Sequence, residues 1–259
     1  MARNYRRAAV VATVGALGLM LTGCGERAPS SAQAAEQGNK VPSYADTKQL
    51  PEQLAADGTT IVVGDPAAPT KVRVYEDPRC PVVEEFENLG GASVLREMTV
   101  DRETRTEYTF ASFRDDRLGG DGSKRAVNAL RAALEAGKFV EYHEVLFQNQ
   151  IEVESSGGFT TSTLLELADE VSGLRSDSFD QAVKTMKHEN FVKASQEAYD
   201  SANGDEPLGP GTPTVVINDK QVPESHFGKA SQEAYDSANG DEPLGPGTPT
   251  VVINDKQVP

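Results

Sequence analysis

The feature that most constrains the fold of this chain is a cysteine placed where an apolar strand gives way to a helix. Residues 71–75 form the predicted strand, Glu76 and Asp77 form an acidic turn, and Cys80 and Pro81 open the helix. A thiol at a helix N-terminus faces the positive end of the helix dipole and free backbone N–H groups, which favour its thiolate form. The segment therefore predicts thiol chemistry at Cys80.

Residues 71–86 resemble the active-site segment of the DsbA-like branch of thioredoxin-fold disulfide oxidoreductases. In that branch a strand ends in an acidic turn and Cys-Pro-x-Cys opens the first helix, whereas this chain has Val83 in place of the second cysteine. The second thiol of a two-cysteine enzyme attacks the mixed disulfide and completes the cycle. Val83 cannot do this, so the chain is not expected to act as a self-contained dithiol enzyme. One-thiol exchange, resolved by an external thiol or a second protein, stays open.

The residues around Thr212 and Pro213 resemble the cis-proline loop of the thioredoxin superfamily, which lies against the active-site cysteine. The resemblance implies a cis Thr212–Pro213 bond and a wall along which an extended partner peptide pairs by backbone hydrogen bonds. Pro81 and Val82 are expected to shape the exposure of Cys80 and to contact the same peptide. The alternative is that Pro213 only begins a strand, where its missing N–H costs nothing.

The order of the predicted elements fits the same family. Strands are expected at residues 59–63, 71–75 and 103–113, a short helix at 81–89, and a series of helices between residues 123 and 202. Spacing of polar residues marks Ser123, Thr163 and Ser178 as helix N-caps. A helix-rich segment between early and late strands is what the resemblance implies for DsbA-like proteins. The predicted fold class is therefore α/β, a thioredoxin-like fold with an inserted helical subdomain.

The N-terminus has the pattern of a bacterial lipoprotein signal. Residues 1–7 carry three arginines, residues 8–20 form an apolar run too short for a stable membrane span, and residues 21–24 resemble the lipobox. The resemblance implies that residues 1–23 are removed and that Cys24 receives a diacylglyceryl group, which holds the protein to the cell membrane on its extracytoplasmic side. Cys80 is then the free thiol of the chain. The alternative is an uncleaved membrane anchor.

The rest of the chain divides into three predicted regions. Residues 24–48 lack an apolar period and are expected to form a flexible, lipidated tether, followed by the thioredoxin-like domain at residues 49–228. Residues 229–259 repeat residues 193–223 without a single difference. One copy of the proline loop fits beside Cys80, and the first copy is expected to take that place. The second copy is predicted to be partly disordered or to compete with the first.

The formal net charge of −15 excludes some partners. A surface this acidic repels the phosphate backbones of nucleic acids, and we therefore expect no nucleic-acid binding. Envelope or secreted proteins, met as extended peptides or as thiols, are the expected partners, and the lipid on Cys24 is the expected link to the membrane. No cofactor is expected.

Other polar residues carry weaker signals. His143, His188 and His226 lack metal-ligand spacing with one another or with Cys80, so surface or helix-end positions are expected and no metal site is predicted. The glycine-rich residues 118–124 are expected to form a flexible loop ahead of a helix rather than a phosphate site. Glu76 and Asp77 are expected to be solvated, with tuning of the Cys80 thiol as the alternative.

Two functions remain consistent with these residues. One is an extracytoplasmic thiol-exchange protein with Cys80 as nucleophile. The other is a redox-inactive thioredoxin-fold module that binds client peptides and keeps Cys80 as a remnant. Val83 favours the second function, whereas the retained cysteine favours the first.

Overall fold

A computed structural model describes residues 41–203 and 211–221, together with the backbone of residues 252–253 and 256–257. The described residues belong to one compact unit that begins at Val41. The predicted signal, Cys24 and most of the predicted tether lie outside the described residues. None of the helices within the described part has the length and apolarity needed to span a membrane.

Among the described residues, six strands form a mixed sheet in the order β1-β2-β4-β3-β5-β6. Their bounds are Glu52–Leu54 (β1), Ile61–Gly64 (β2), Thr70–Glu76 (β3), Thr104–Phe110 (β4), Thr214–Ile217 (β5) and Lys220–Gln221 (β6). Strands β3 and β4 run parallel, and every other pair in the sheet is antiparallel. This mixed sheet confirms the predicted thioredoxin-like fold class.

The parallel pair β3–β4 forms the centre of the sheet because its side chains suit burial. Val72 and Val74 on β3 and Phe110 on β4 are at most 1% exposed. Branched and aromatic side chains of this kind pack well on a pleated surface. Since β3 leads directly into Cys80, the thiol is placed at the end of a central strand of the sheet.

Helices cover the sheet and also form the insertion between β4 and β5. They are Pro81–Leu89 (α1), Ala92–Val100 (α2), Arg114–Leu118 (α3), Gly122–Glu135 (α4), Phe139–Gln148 (α5), Gln150–Ser155 (α6), Thr161–Asp169 (α7), Asp177–Thr185 (α8) and Glu189–Asp200 (α9). Helices α3 to α9 lie between the two strands in the sequence, which confirms the predicted helical insertion. A continuous apolar core joins the insertion to the sheet.

The structure adds elements to the sequence prediction and moves some of its N-caps. Strands β1 and β6 and helices α2, α3 and α6 were not predicted. Thr160, not Thr163, caps α7, because its hydroxyl accepts the backbone N–H of Thr163 at 3.2 Å. Ser176, not Ser178, caps α8 by accepting the N–H of Phe179 at 3.2 Å.

The first copy of the repeated segment supplies the sheet strand, as expected. Val216 and Ile217 pair with Gln221 and Lys220 across the β5–β6 hairpin. The second copy forms a separate two-stranded sheet, Val252–Ile253 (β7) with Lys256–Gln257 (β8), in the same register. The remainder of residues 229–259 lies outside the described residues, so the predicted disorder of this copy stays a prediction.

Candidate active site

Cys80 lies at the N-cap of helix α1 and is followed by Pro81 in the first helical position. Its carbonyl oxygen accepts the N–H groups of Val83 and Glu84 at 3.1 and 3.2 Å, which starts the helix. Proline suits this place because the N–H that it lacks has no partner within a first turn. The residue is 5% exposed, so the thiol lies beneath the surface rather than on it.

The proline loop covers the thiol. The Cys80 thiol donates to the carbonyl oxygen of Thr212 at 3.2 Å, and the Thr212–Pro213 bond is cis, which confirms the predicted bond geometry. The loop is held from below by Tyr199 of α9, whose hydroxyl accepts the N–H of Gly211 at 3.0 Å. The structure therefore brings Cys80, Thr212 and Pro213 together.

The other predicted site residues lie along the first turn of α1. Pro81 and Val82 are exposed at the surface beside Cys80. Val83, three residues beyond Cys80, is fully buried in the core cluster. Cys80 is a free cysteine. Within the described residues, the site therefore presents one sulfur rather than two.

Asp77 holds the turn that precedes Cys80, and its expected solvation is wrong. Both Glu76 and Asp77 are fully buried. One carboxylate oxygen of Asp77 accepts the N–H of Arg79 at 3.0 Å and the hydroxyl of Ser123 at 2.6 Å, while the other accepts the N–H of Arg114 at 2.9 Å. Burial raises the pKa of Asp77 to about 6, against the lowering effect of these donors.

Gln150 and Arg79 also stabilise the turn that precedes Cys80. The side-chain amide of Gln150, on α6, donates to the carbonyls of Pro78 at 2.7 Å and Cys80 at 3.0 Å. Arg79 donates to both carboxylate oxygens of Glu154 at 3.0 to 3.1 Å and to Asp115 at 3.1 Å. The turn is thus fixed by side chains of the helical insertion.

The N-terminus of α4 is occupied by Asp115, not capped by Ser123. Helix α4 begins at Gly122, and Ser123 lies inside it. The Asp115 carboxylate accepts the backbone N–H groups of Ser123 at 2.8 Å and Lys124 at 3.1 Å. Two of the free donors of this helix end are therefore satisfied by a buried side chain.

A cleft of about 450 Å³ lies beside Arg79 and is lined partly by the glycine-rich residues 119–122 and 157–158. A side chain at Gly122 would approach the Arg79 side chain to 3.1 Å. The second guanidinium of the cleft, Arg125, bonds Asp121 at 2.6 Å and Thr161 at 2.8 Å. Both guanidinium groups therefore have carboxylate partners.

His143 departs from the expectation of a surface or helix-end position. It lies within α5 and is 4% exposed, with Nε2 at 2.8 Å from Oε2 of Glu76. Burial lowers the pKa of His143 to about 4, so the ring is neutral at neutral pH. His188 is the N-cap residue of α9, as a helix-end position requires, although it is also buried. His226 lies outside the described residues.

Several residues of the site were not predicted from the sequence. Gln150, Arg79, Asp115 and Tyr199 act on the Cys80 turn or on the proline loop from distant parts of the chain. Their residue types are common in helices, and no spacing in the sequence connects them with Cys80. Glu76 and Asp77 were singled out as possible neighbours of the thiol, but their burial was not predicted.

Comparison with known proteins agrees with this geometry. A family model described as thioredoxin matches residues 56–237. The solved structures that resemble the chain include MdbA, BdbD and DsbA proteins. MdbA of Corynebacterium diphtheriae, described as a thiol-disulfide oxidoreductase, is 20% identical, and the match covers 71% of this chain and 93% of that chain with a TM-score of 0.55.

Oxidised BdbD of Bacillus subtilis is 20% identical, with 70% of this chain and 90% of that chain covered and a TM-score of 0.53. DsbA of Chlamydia trachomatis is 22% identical, with 63% and 83% covered and a TM-score of 0.52. A search of curated proteins finds no match. Because the family model spans more than half of the chain, the chain belongs to the thioredoxin family, and its fold is the DsbA-like form of the thioredoxin fold.

Proposed function

We propose that the protein is a membrane-anchored, extracytoplasmic DsbA-like protein that exchanges disulfides through Cys80 alone. The observation that carries the proposal is the 3.2 Å contact between the Cys80 thiol and the carbonyl of Thr212 at a cis Thr212–Pro213 bond. It places the sulfur beside a backbone segment suited to holding an extended peptide. The proposed peptide-contacting residues are Pro81, Val82, Thr212 and Pro213.

The proposed exchange reaction needs only one sulfur from the protein, that of Cys80. The Cys80 thiolate attacks one sulfur of a partner disulfide, the partner S–S bond breaks, and a new S–S bond joins Cys80 to one partner sulfur. The other partner sulfur leaves as a thiolate. An external thiol then attacks the mixed disulfide and frees Cys80, so no net oxidation or reduction of the protein occurs. Val83 is buried and carries no sulfur, which is why the second thiol must come from outside.

The surroundings of Cys80 support a thiol that is held in place. Gln150 fixes the carbonyl of Cys80, while Asp77 fixes the N–H of Arg79 just before it. Tyr199 fixes the opposite loop through Gly211. A thiol that is positioned before its partner arrives loses less freedom on reaction, which favours exchange.

The proposed location follows from the sequence of the N-terminus. Cleavage before Cys24 and lipidation of its sulfur tether the domain to the outer side of the cell membrane, where disulfides persist. Envelope or secreted proteins are the proposed partners. Detergent partitioning tests the anchor: the wild-type chain is expected in the detergent phase and a Cys24→Ala chain in the aqueous phase, whereas equal partitioning would contradict lipidation.

The exchange activity is tested with the chain from residue 25 onward, which contains the whole compact unit that begins at Val41. A disulfide-linked peptide whose fluorescence rises on cleavage reports the exchange. The wild-type chain is expected to release the leaving thiol and a Cys80→Ser chain is not. Equal release by both chains would remove Cys80 from the mechanism.

A redox-inactive module that binds extended peptides is the second candidate. The low exposure of Cys80, 5%, favours it, because a partner sulfur must displace part of the proline loop to reach the thiol. In this case the Cys80→Ser chain binds the reduced peptide as well as the wild type does, and neither chain releases thiol from the disulfide-linked peptide.

A further inference from the structure

Two carboxyl groups and one imidazole meet in the core behind the Cys80 helix. Glu76 ends β3, Glu87 lies on α1 and His143 lies on α5. Their exposures are 0%, 2% and 4%. One donor atom from each residue lies within 4.8 Å of the donor atoms of the other two. Three elements of the fold thus direct metal-binding atoms to one buried point.

The cluster contains more acceptors than the surrounding protein satisfies. Oε1 of Glu76 and Oε1 of Glu87 are both buried without a hydrogen-bond partner. A buried acceptor without a partner costs about 1 to 3 kcal/mol, and more when it is charged. A proton kept by one carboxyl group would satisfy one of these atoms, whereas a cation bound between the two side chains would satisfy both.

Arg96 partly offsets the negative charge of the cluster. Its guanidinium donates to Oε2 of Glu87 at 2.7 Å and to the Glu87 backbone carbonyl at 3.0 Å. Among the described residues Glu76 forms no ion pair with an arginine or a lysine, and its close partner is Nε2 of His143 at 2.8 Å. Arg96 is therefore the one guanidinium paired with this cluster in the described part of the chain.

We propose that Glu76, Glu87 and His143 bind one divalent transition-metal ion, with Zn²⁺ the best match to the donors. Zn²⁺ takes carboxylate oxygen and imidazole nitrogen at about 2.0 to 2.2 Å, so its donors lie roughly 3.4 Å apart in a tetrahedral site. The present donor atoms lie within 4.8 Å of one another, so binding requires the three side chains to adjust to that separation. Imidazole together with carboxylates suits Zn²⁺ better than Ca²⁺ or Mg²⁺, which prefer oxygen donors alone.

The surroundings hold the imidazole donor in place, and a water molecule would take the fourth position of a tetrahedral ion. Rings of Tyr108, Phe139 and Phe147 lie 4.9 to 5.3 Å from the His143 ring and fix its orientation. A small cavity of about 10 Å³ lies beside His143 and is also lined by Arg96 and Glu144. The ion would join the sheet, the Cys80 helix and the helical insertion, which goes beyond the proposed thiol exchange.

The test is calorimetric titration of Zn²⁺ into the metal-free chain from residue 25 onward. All chains carry Cys80→Ser, so that a thiolate cannot bind the metal. The test chain adds Glu87→Gln, and the matched control adds Glu85→Gln, which changes an exposed acid on the same helix. One Zn²⁺ per chain is expected for the parent and the control, with affinity at least about 100-fold weaker for Glu87→Gln.

Thermal unfolding gives a second measure. Zn²⁺ at about 100 times its Kd is expected to raise the Tm of the parent by roughly 5 to 10 °C and to leave that of Glu87→Gln unchanged. Equal Zn²⁺ affinity of the folded Glu87→Gln chain and the parent would overturn the proposal, because the ion would then bind elsewhere. Absence of stoichiometric binding to the parent would also overturn it.

If the Glu87→Gln chain does not fold, Co²⁺ binding to the parent chain tests the proposed metal site instead. Bound Co²⁺ in a nitrogen and oxygen site absorbs visible light, and the parent chain is expected to develop this absorption at one equivalent and lose it with a chelator. A parent chain that develops no visible absorption with Co²⁺ contradicts the site without recourse to any further variant.

Discussion

The side-chain nitrogen of Gln150 lies 3.0 Å from the carbonyl oxygen of Cys80. The same nitrogen lies 2.7 Å from the carbonyl of Pro78, so a single amide holds both ends of the turn that presents the thiol. Gln150 belongs to the helical insertion and Cys80 to the sheet-derived part of the fold. The insertion therefore sets the position of the thiol directly.

Replacing Gln150 with alanine is expected to destabilise the fold and to slow exchange. Two buried carbonyls lose their donor, which costs about 1 to 3 kcal/mol in the free energy of unfolding. Chemical denaturation measures the stability, and thiol release from the disulfide-linked peptide measures the rate. Gln148→Ala, at an exposed position of α5, is the control and is expected to change neither. Unchanged stability of Gln150→Ala would contradict the role of this amide.

Replacing Val83 with cysteine is expected to restore two-thiol chemistry. Val83 is fully buried on the first turn of α1, three residues beyond Cys80, a separation that a disulfide can bridge. The loss of apolar volume costs about 1 kcal/mol of stability. Intact mass after mild oxidation should show an internal disulfide. In the Val82→Cys control the new side chain is exposed, and a dominant internal disulfide there, or none with Val83→Cys, would contradict the geometry.

The raised pKa of Asp77 predicts how the stability of the fold changes with pH. Burial raises its pKa to about 6 in the folded chain from the ordinary 3.8. A carboxyl group with a raised folded pKa stabilises the fold below its unfolded pKa, and this contribution is lost as the pH rises through the folded value. The stability of the wild type relative to Asp77→Asn should therefore fall between pH 4 and pH 7, by up to about 3 kcal/mol.

Urea unfolding in the presence of a chelator measures this difference at several pH values. Asp116→Asn, at an exposed position of α3, is the control, and its difference from the wild type should be nearly flat. A stability difference that grows with pH for Asp77→Asn would show that the carboxylate is favoured by its three donors more than it is penalised by burial.

Glu52 is expected to stabilise the helical insertion from outside it. Its two carboxylate oxygens accept the N–H groups of Phe139 at 2.9 Å and Val140 at 3.1 Å, at the beginning of α5. Glu52→Ala removes this cap and should cost about 1 to 2 kcal/mol of unfolding free energy. Gln53→Ala, exposed on the same strand, should change stability by less than about 0.5 kcal/mol. Equal effects of the two substitutions would refute the capping role.

The parts of the site that are local in sequence could be predicted. The Cys80 turn and the Thr212–Pro213 loop each lie within a short segment whose residue order resembles a known motif. Their meeting in space, at 3.2 Å, follows once both segments take their family positions. The central strands could be predicted for a similar reason, because branched and aromatic residues dominate β3 and β4.

The contacts that support the site could not be predicted, because they depend on packing between distant segments. Glu76 and Asp77 look like solvated turn residues, but they are buried against distant side chains that include His143 and Ser123 of the insertion. Helix α2 was missed because Gly90 and Gly91 indicate the end of α1, although Gly91 also serves as the N-cap of α2. Strand β1 has three residues and no clear alternation, so it forms only through its pairing with β2.

The fate of the Cys80 mixed disulfide tests the central claim most directly. Intact mass of the chain from residue 25 onward would be followed over time after addition of a disulfide-linked peptide, and again after addition of a small external thiol. One peptide adduct per chain should form, persist, and leave only when the external thiol is added, because Val83 offers no resolving sulfur. No adduct, or an adduct of equal size on Cys80→Ser, would contradict exchange through this single cysteine.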